Sequence, residues 1–125
     1  MMKQLRMICG IFVIMAILSI GNRSTLAYNE LAMVNGTGAT IVSAYMVPST
    51  YYDDYGGDWG SNLLNNYWHD DTAVVADVSD YTYWHLKIVF FDGRSVEFKG
   101  IDTDKVHGLG IYRRGSGNYY WMQLT

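Results

Sequence analysis

One cysteine and one proline in 125 residues are the scarcest features of this chain, and a basic excess is missing altogether. The lone cysteine, Cys9, has no second thiol to meet, so no intramolecular disulfide can staple the fold. No apolar run reaches the roughly 20 residues of a comfortable membrane span; the longest, residues 7–21 (MICGIFVIMAILSIG), has 15. Paired C-x-x-C and H-E-x-x-H spacings are absent, and His69, His85 and His107 lie far apart, so no zinc pattern is present. There is no G-x-S-x-G elbow for an activated serine, and no glycine-rich loop follows a βαβ unit. A net charge of −3 argues against nucleic acid, whose phosphates demand basic patches, and against anionic lipid surfaces.

What is there begins with a leader. Lys3 and Arg6 precede the 15-residue apolar run without an acidic residue among them, and a short polar stretch, NRSTLA, follows it. Thr25 and Ala27 occupy the −3 and −1 positions of a cleavage site. That order is the one a secretory signal peptide takes, and it predicts cleavage after Ala27, with export to the periplasm or the exterior. The competing reading, an uncleaved anchor, suffers from the shortness of the run. Cys9 stands at the start of the run rather than its far end, which argues against a lipid anchor. The processed chain, residues 28–125, loses Lys3, Arg6 and Arg23 and keeps all 12 acidic residues, giving a net charge of −6. Its length suits one domain, not two.

The processed part reads as strands. Residues 39–47 (ATIVSAYMV) are rich in β-branched and aromatic side chains and stop at Pro48, which has no N–H for a ladder. Residues 72–78 alternate, with Val74, Ala76 and Val78 on one face and Asp77 on the other. Residues 83–91 (YWHLKIVFF) put Trp84, Leu86, Ile88 and Phe90 on one face and His85 and Lys87 on the other. Asp92-Gly93 then predicts a two-residue type I′ hairpin, and residues 94–101 return with Val96 and Phe98 inward. Further strands fall at residues 109–113 and 119–124, around the turn Gly115-Ser116-Gly117-Asn118. Asn35-Gly36-Thr37 is formally a glycosylation sequon, and Asn-Gly is also a turn joining residues 32–34 to the next strand. Single helical turns are expected near residues 60–66 and 102–107. The expectation is an all-β domain, one antiparallel β-sandwich of about seven short strands. Its expected core is Ile41, Val74, Trp84, Leu86, Ile88, Phe90, Val96, Phe98 and Trp121.

The order of motifs is also familiar. Asn35-x-Thr37-Gly38-x-x-Ile41, then Pro48-Ser49, then Asp58-Trp59-Gly60-x-x-Leu63-Leu64, then a strand ending in Asp92-Gly93, resembles a group of small exported bacterial β-sandwich proteins. The resemblance covers roughly residues 31–101. It implies an exported β-sandwich and lends no catalytic residue. Some members carry a cysteine near residues 83–86, which this chain lacks.

The densest chemistry lies at residues 53–60, DDYGGDWG. Asp and Gly are what polar turns want; Trp59, followed by Leu63-Leu64, reads as a plug at one end of the sheets. The processed chain holds 11 Tyr and 4 Trp, and several gather here beside carboxylates. Tyrosine gives contact area at low entropy cost together with a hydroxyl. Tyr51, Tyr52, Asp53, Asp54, Tyr55, Asp58, Trp59, Tyr67 and Trp68 are the candidate binding residues. Cross-strand tyrosines that merely brace the sheet are the competing reading. The expected function is a non-catalytic binding domain meeting an envelope protein partner, because five nearby carboxylates exceed what a neutral glycan needs. Two alternatives stand beside it. One is a calcium-assisted carbohydrate-binding module using Asp53, Asp54, Asp58, Asp70 and Asp71, with oxygens from Asp102 and Asp104 within reach. The other is a small hydrolase built on Asp and His69.

Overall fold

Side chains that alternate in character every second residue make strands here, and one proline and a handful of glycines decide where the strands stop. The structure, a computed structural model, describes residues 7–13, as backbone, together with residues 29–115 and 117–124. In chain order the elements are β1 (Met7–Val13), β2 (Glu30–Gly36), β3 (Ile41–Pro48), the helix α1 (Ser49–Asp54), β4 (Thr72–Asp77), β5 (Tyr83–Phe90), β6 (Ser95–Asp102), β7 (Gly108–Arg114) and β8 (Asn118–Gln123). Apart from Met7–Val13, the expected leader lies outside the described residues. Among the described residues no helix is long and apolar enough to cross a membrane.

The strands form two sheets, β1-β4-β2-β7-β8 and β3-β5-β6. One buried cluster joins them, with Leu31, Met33, Val74, Leu109 and Ile111 from the first sheet meeting Ile41, Met46, Trp84, Leu86, Ile88, Phe90 and Ile101 from the second. Phe90 stacks on Tyr119 across the two sheets, their ring centres 4.8 Å apart. Of the expected core, Val96, Phe98 and Trp121 are partly buried at its margin. The expectation of wholly antiparallel pairing is corrected at one place: β2 and β7 run parallel, Ala32 opposite Gly108 through Gly36 opposite Tyr112. A parallel pair needs a long crossover, and here the whole three-stranded sheet lies between its two strands. Side-chain alternation tells which face is buried but not which way a neighbour runs.

Local chemistry corrects two further expectations. The β5–β6 hairpin is not a type I′ turn, because Gly93 has positive φ (93°) and Asp92 does not. Gly93 donates its N–H to the Phe90 carbonyl, and Phe90 donates to Arg94, so the loop is a β-turn followed by a glycine bulge. Asp92 accepts from the Arg94 N–H and Nε, and the backbone N–H is the chief cause of its lowered carboxyl pKa. Among the described residues the one helix lies at Ser49–Asp54 rather than at residues 60–66; near residue 102 the expected single turn does close, Val106 N–H to the Asp102 carbonyl.

Asn35 is no turn residue. It sits fully buried at the end of β2, donating Nδ2 to the carbonyls of Ala39 (2.8 Å) and Trp68 (3.0 Å) and accepting from the Thr37 N–H and hydroxyl. The turn comes three residues later, at Gly38 (φ 81°), whose N–H donates to Asp70. The N-x-T-G motif is thus a buried knot tying β2 to the chain around Trp68.

Candidate functional site

Pro48 ends β3 in an extended conformation (φ −61°, ψ 143°) and starts α1 directly. No residue of α1 is buried, so the helix rides on the surface. Its C-terminal end closes with Tyr55 N–H to Tyr51 O (2.9 Å) and Gly57 N–H to Tyr52 O (2.8 Å). Gly56 and Gly57, at φ 68° and 84°, then turn the chain back in a conformation that other residues resist.

Adjacent tyrosines on this short helix point to different neighbours, so the aromatics divide into two groups. Tyr51 meets Tyr55 edge-on at 4.9 Å and faces Tyr81 at 6.4 Å. Tyr81 in turn meets the core ring of Trp84 at 6.1 Å. This group is open to solvent, Tyr55 being 62% exposed. Tyr52 belongs to the second group, edge-on to Trp59 (5.1 Å) and to His85 (5.0 Å) on the outward face of β5. Lys99 donates to the Tyr52 hydroxyl at 3.1 Å and lies 4.3 Å from the centre of its ring. Lys87 stands over the rings of Tyr45 and Trp59 at about 6 Å. Trp59 therefore covers the outer face of the three-stranded sheet and does not plug its end; Leu64 and Trp68 enter the core instead.

His85 is the buried polar centre of this second group. The β5–β6 register slips between Trp84 and Leu86, and the displaced Gly100, at φ 74°, donates its N–H to His85 Nδ1 at 3.0 Å. Ser49 Oγ lies 3.4 Å from the same nitrogen. Nδ1 is thus an acceptor and the neutral ring carries its proton on Nε2. Burial first, and the Lys99 ammonium second, hold the imidazole below its ordinary value of 6.5.

The remaining sequence-predicted residues scatter. Asp53 and Asp54 are exposed on α1. Asp58 accepts the Gly60 N–H at 2.9 Å, an ordinary turn contact. Tyr67 packs on Phe91 at 6.0 Å, beside the start of β3 and so at the opposite end of that strand from α1. Trp68, 1% exposed, is core, with Nε1 donating to the Thr72 carbonyl. It offers a partner no surface. Asp70 serves Gly38, and Asp71 takes a positive φ (63°) at the turn into β4. The five carboxylates of the calcium alternative are accordingly split, and among the described residues no three His, Cys, Asp or Glu groups converge on a metal position. His69 is exposed, its carbonyl accepting from the Thr72 hydroxyl.

Sequence reading missed Ser49, Tyr45, Tyr81, Lys87, Lys99 and His85 as members of this surface. Alternation did mark His85 and Lys87 as outward; what it could not give was the bulge that sets Lys99 and Gly100 beside His85. Next to Tyr81 runs a groove of ≈ 180 Å³ lined with Asn29, Ser79, Asp80, Thr82, Thr103 and Asp104. Compared with known protein families, with curated proteins and with solved structures, the chain matches none.

Proposed function

We propose that this chain is an exported, non-catalytic binding domain, cut after Ala27, that meets a basic protein surface through Tyr51, Tyr55 and Tyr81 with Asp53 and Asp54 at their rim. The observation that carries the reading is the array of three tyrosine rings, Tyr51 on a helix with no buried residue, Tyr55 just after it and Tyr81 in the loop before β5, with Tyr55 and Tyr81 open to solvent. A six-residue helix that buries nothing contributes little to the core, whereas rigid aromatic rings beside hydrogen-bonding groups suit recognition. The non-catalytic part draws support from His85, whose Nδ1 is already taken by a backbone N–H.

The test is capture from envelope extract by the processed chain at low and high salt, with Asp53, Asp54 and Asp58 changed to Asn and, separately, Tyr51 and Tyr55 changed to Ala. Attraction between charges is screened within about 10 Å at 0.1 M salt and about 3 Å at 1 M. The expected result is a partner lost at high salt and lost by both variants. A partner kept by the neutralised variant at both salts refutes the electrostatic reading. It would favour the second reading, a neutral glycan stacked on Tyr81 with its hydroxyls in the adjoining groove, which the hydroxyl and carboxylate lining of that groove supports. Intact mass of the exported chain tests the leader; a mass that retains residues 7–21 removes the export-and-cleavage part.

A further inference from the structure

Strand β4 lies between β2 and β1, antiparallel to both. Its run from Thr72 to Ala76, TAVVA, contains no charge, no proline and no glycine. Its pairing with β2 is regular from Leu31 opposite Ala76 to Val34 opposite Ala73. The outward face of this part of the sheet is apolar as well: Ala32, Val34, Ala73 and Val75 form a second buried cluster, with Leu124 packed against it.

The other sheet edges are guarded. β6 carries Glu97 and Lys99 and is broken by the bulge at Gly100. β3 is covered by the chain that follows α1: the Ala44 N–H donates to Asn62 Oδ1, the Leu63 N–H donates to the Ala44 carbonyl, and Ile41 exchanges two hydrogen bonds with Trp68. β8 is tied at its end by Gln123 Nε2 to the Lys105 carbonyl, and it leans on the second sheet through Tyr119. β4 has only β1, and β1 lies within the segment whose removal is proposed above. Natural edges are blunted by charge, proline or bulges because an open row of N–H and C=O groups recruits another strand. Processing would leave the Thr72–Ala76 run of β4 with none of these.

We propose that the processed chain pairs, β4 edge to β4 edge, with a second copy of itself. This inference rests on the cleavage reading. The geometry restricts the pairing. The structure already seats an antiparallel strand on this edge, and two identical edges related by a two-fold axis also meet antiparallel. Opposed residues must share a face, and Val74 points into the core while Ala73 and Val75 point outward. The register that pairs the whole uncharged run sets Val74 opposite Val74 of the second copy, Ala73 opposite its Val75 and Thr72 opposite its Ala76. It joins the two outward apolar patches and leaves Asp77 beyond the paired run. A second copy fits better than an unrelated strand because each molecule brings the same uncharged, unbulged edge, already ordered against β2.

The test uses the processed chain purified from the exported fraction, its cleavage confirmed by intact mass. Sedimentation across a wide concentration range is expected to show a monomer–dimer equilibrium. Val75→Lys, on the outward face, is expected to shift it to monomer at least ten-fold in concentration while leaving far-UV circular dichroism unchanged. Met122→Lys, on the β8 edge, is expected to leave it in place. Should Val75→Lys fail to fold, amide hydrogen exchange of the unaltered chain decides instead, with protection at residues 72–76 expected to rise with concentration. A monomer at every soluble concentration overturns the pairing, as does a dimer that Val75→Lys leaves intact or that Met122→Lys also dissolves. A chain still carrying residues 7–21 would instead show that the cleavage reading had failed.

Discussion

Asn35 has neither charge nor exposure, yet four hydrogen bonds pass through its amide, joining β2, Thr37, Ala39 and Trp68. Replacing it by Ala would leave the buried Thr37 N–H without an acceptor, at about 1–3 kcal/mol, and take one of two donors from each of the Ala39 and Trp68 carbonyls. Asn35→Ala is therefore expected to cost about 3 kcal/mol, read as a lower urea midpoint at unchanged slope. His85 makes a prediction of the opposite kind, about pH. Its folded-state pKa lies below 6.5, so as pH falls the unfolded chain takes up the proton first. The contribution to stability is full above about pH 6.5 and declines as pH drops from there toward the lowered folded value. His85→Asn keeps an acceptor for the Gly100 N–H without the titration. Melting curves of the two proteins should differ by a constant amount above about pH 7, with the unaltered chain losing ground as the pH falls below about 6.5. A difference that stays flat through that fall would show that His85 titrates as it does in the unfolded chain.

Among the elements, the β5–β6 pair shows what the sequence made legible and what it hid. Alternation alone placed Trp84, Leu86, Ile88 and Phe90 inward and His85 and Lys87 outward, and the structure agrees. It gave no sign of the bulge opposite His85, because Gly100 reads equally well as a strand end. The same limit hid α1: the stretch STYYDD has no apolar face, so a period-based reading finds no helix there, and Pro48 alone marks where one begins. Trp68 was misplaced for a related reason, since a tryptophan flanked by Tyr67 and His69 in a polar loop carries no periodicity; only its bonds to Ile41 and Thr72 draw it inward. The bulge is testable. At φ 74° a Cβ on residue 100 meets no neighbour, so Gly100→Ala carries backbone strain without a clash. The expected cost is about 1–2 kcal/mol. Because the strain falls on the N–H that His85 accepts, the variant should also weaken the pH dependence described above; a variant as stable as the parent would mean that the strand re-pairs without the bulge.

At the scale of the whole molecule, a single core spans both sheets, and that governs how the domain comes apart. Every described member of the main buried cluster lies between Leu31 and Ile111, so the proposed removal of residues 1–27 takes none of them away. With no second thiol available, burial has to supply the stability, and a domain of this size keeps a margin of only about 5–15 kcal/mol. Trp84 in β5 and Leu31 in β2 belong to different sheets and are both fully buried in that cluster. If the cluster is one cooperative unit, damage to either sheet must weaken the other. Trp84→Ala is expected to cost about 3–5 kcal/mol and Leu31→Ala about 2–5 kcal/mol. Each should lower one shared transition rather than split it. Tryptophan fluorescence, which reports Trp68 and Trp84 in the core, and far-UV circular dichroism, which reports the strands, should then give coincident urea curves for the parent and both variants. Leu31→Ala shifting only the dichroism, with fluorescence unmoved, would mean that the β3-β5-β6 sheet folds without its partner, and the proposed interaction surface at α1 would survive the loss of the five-stranded sheet.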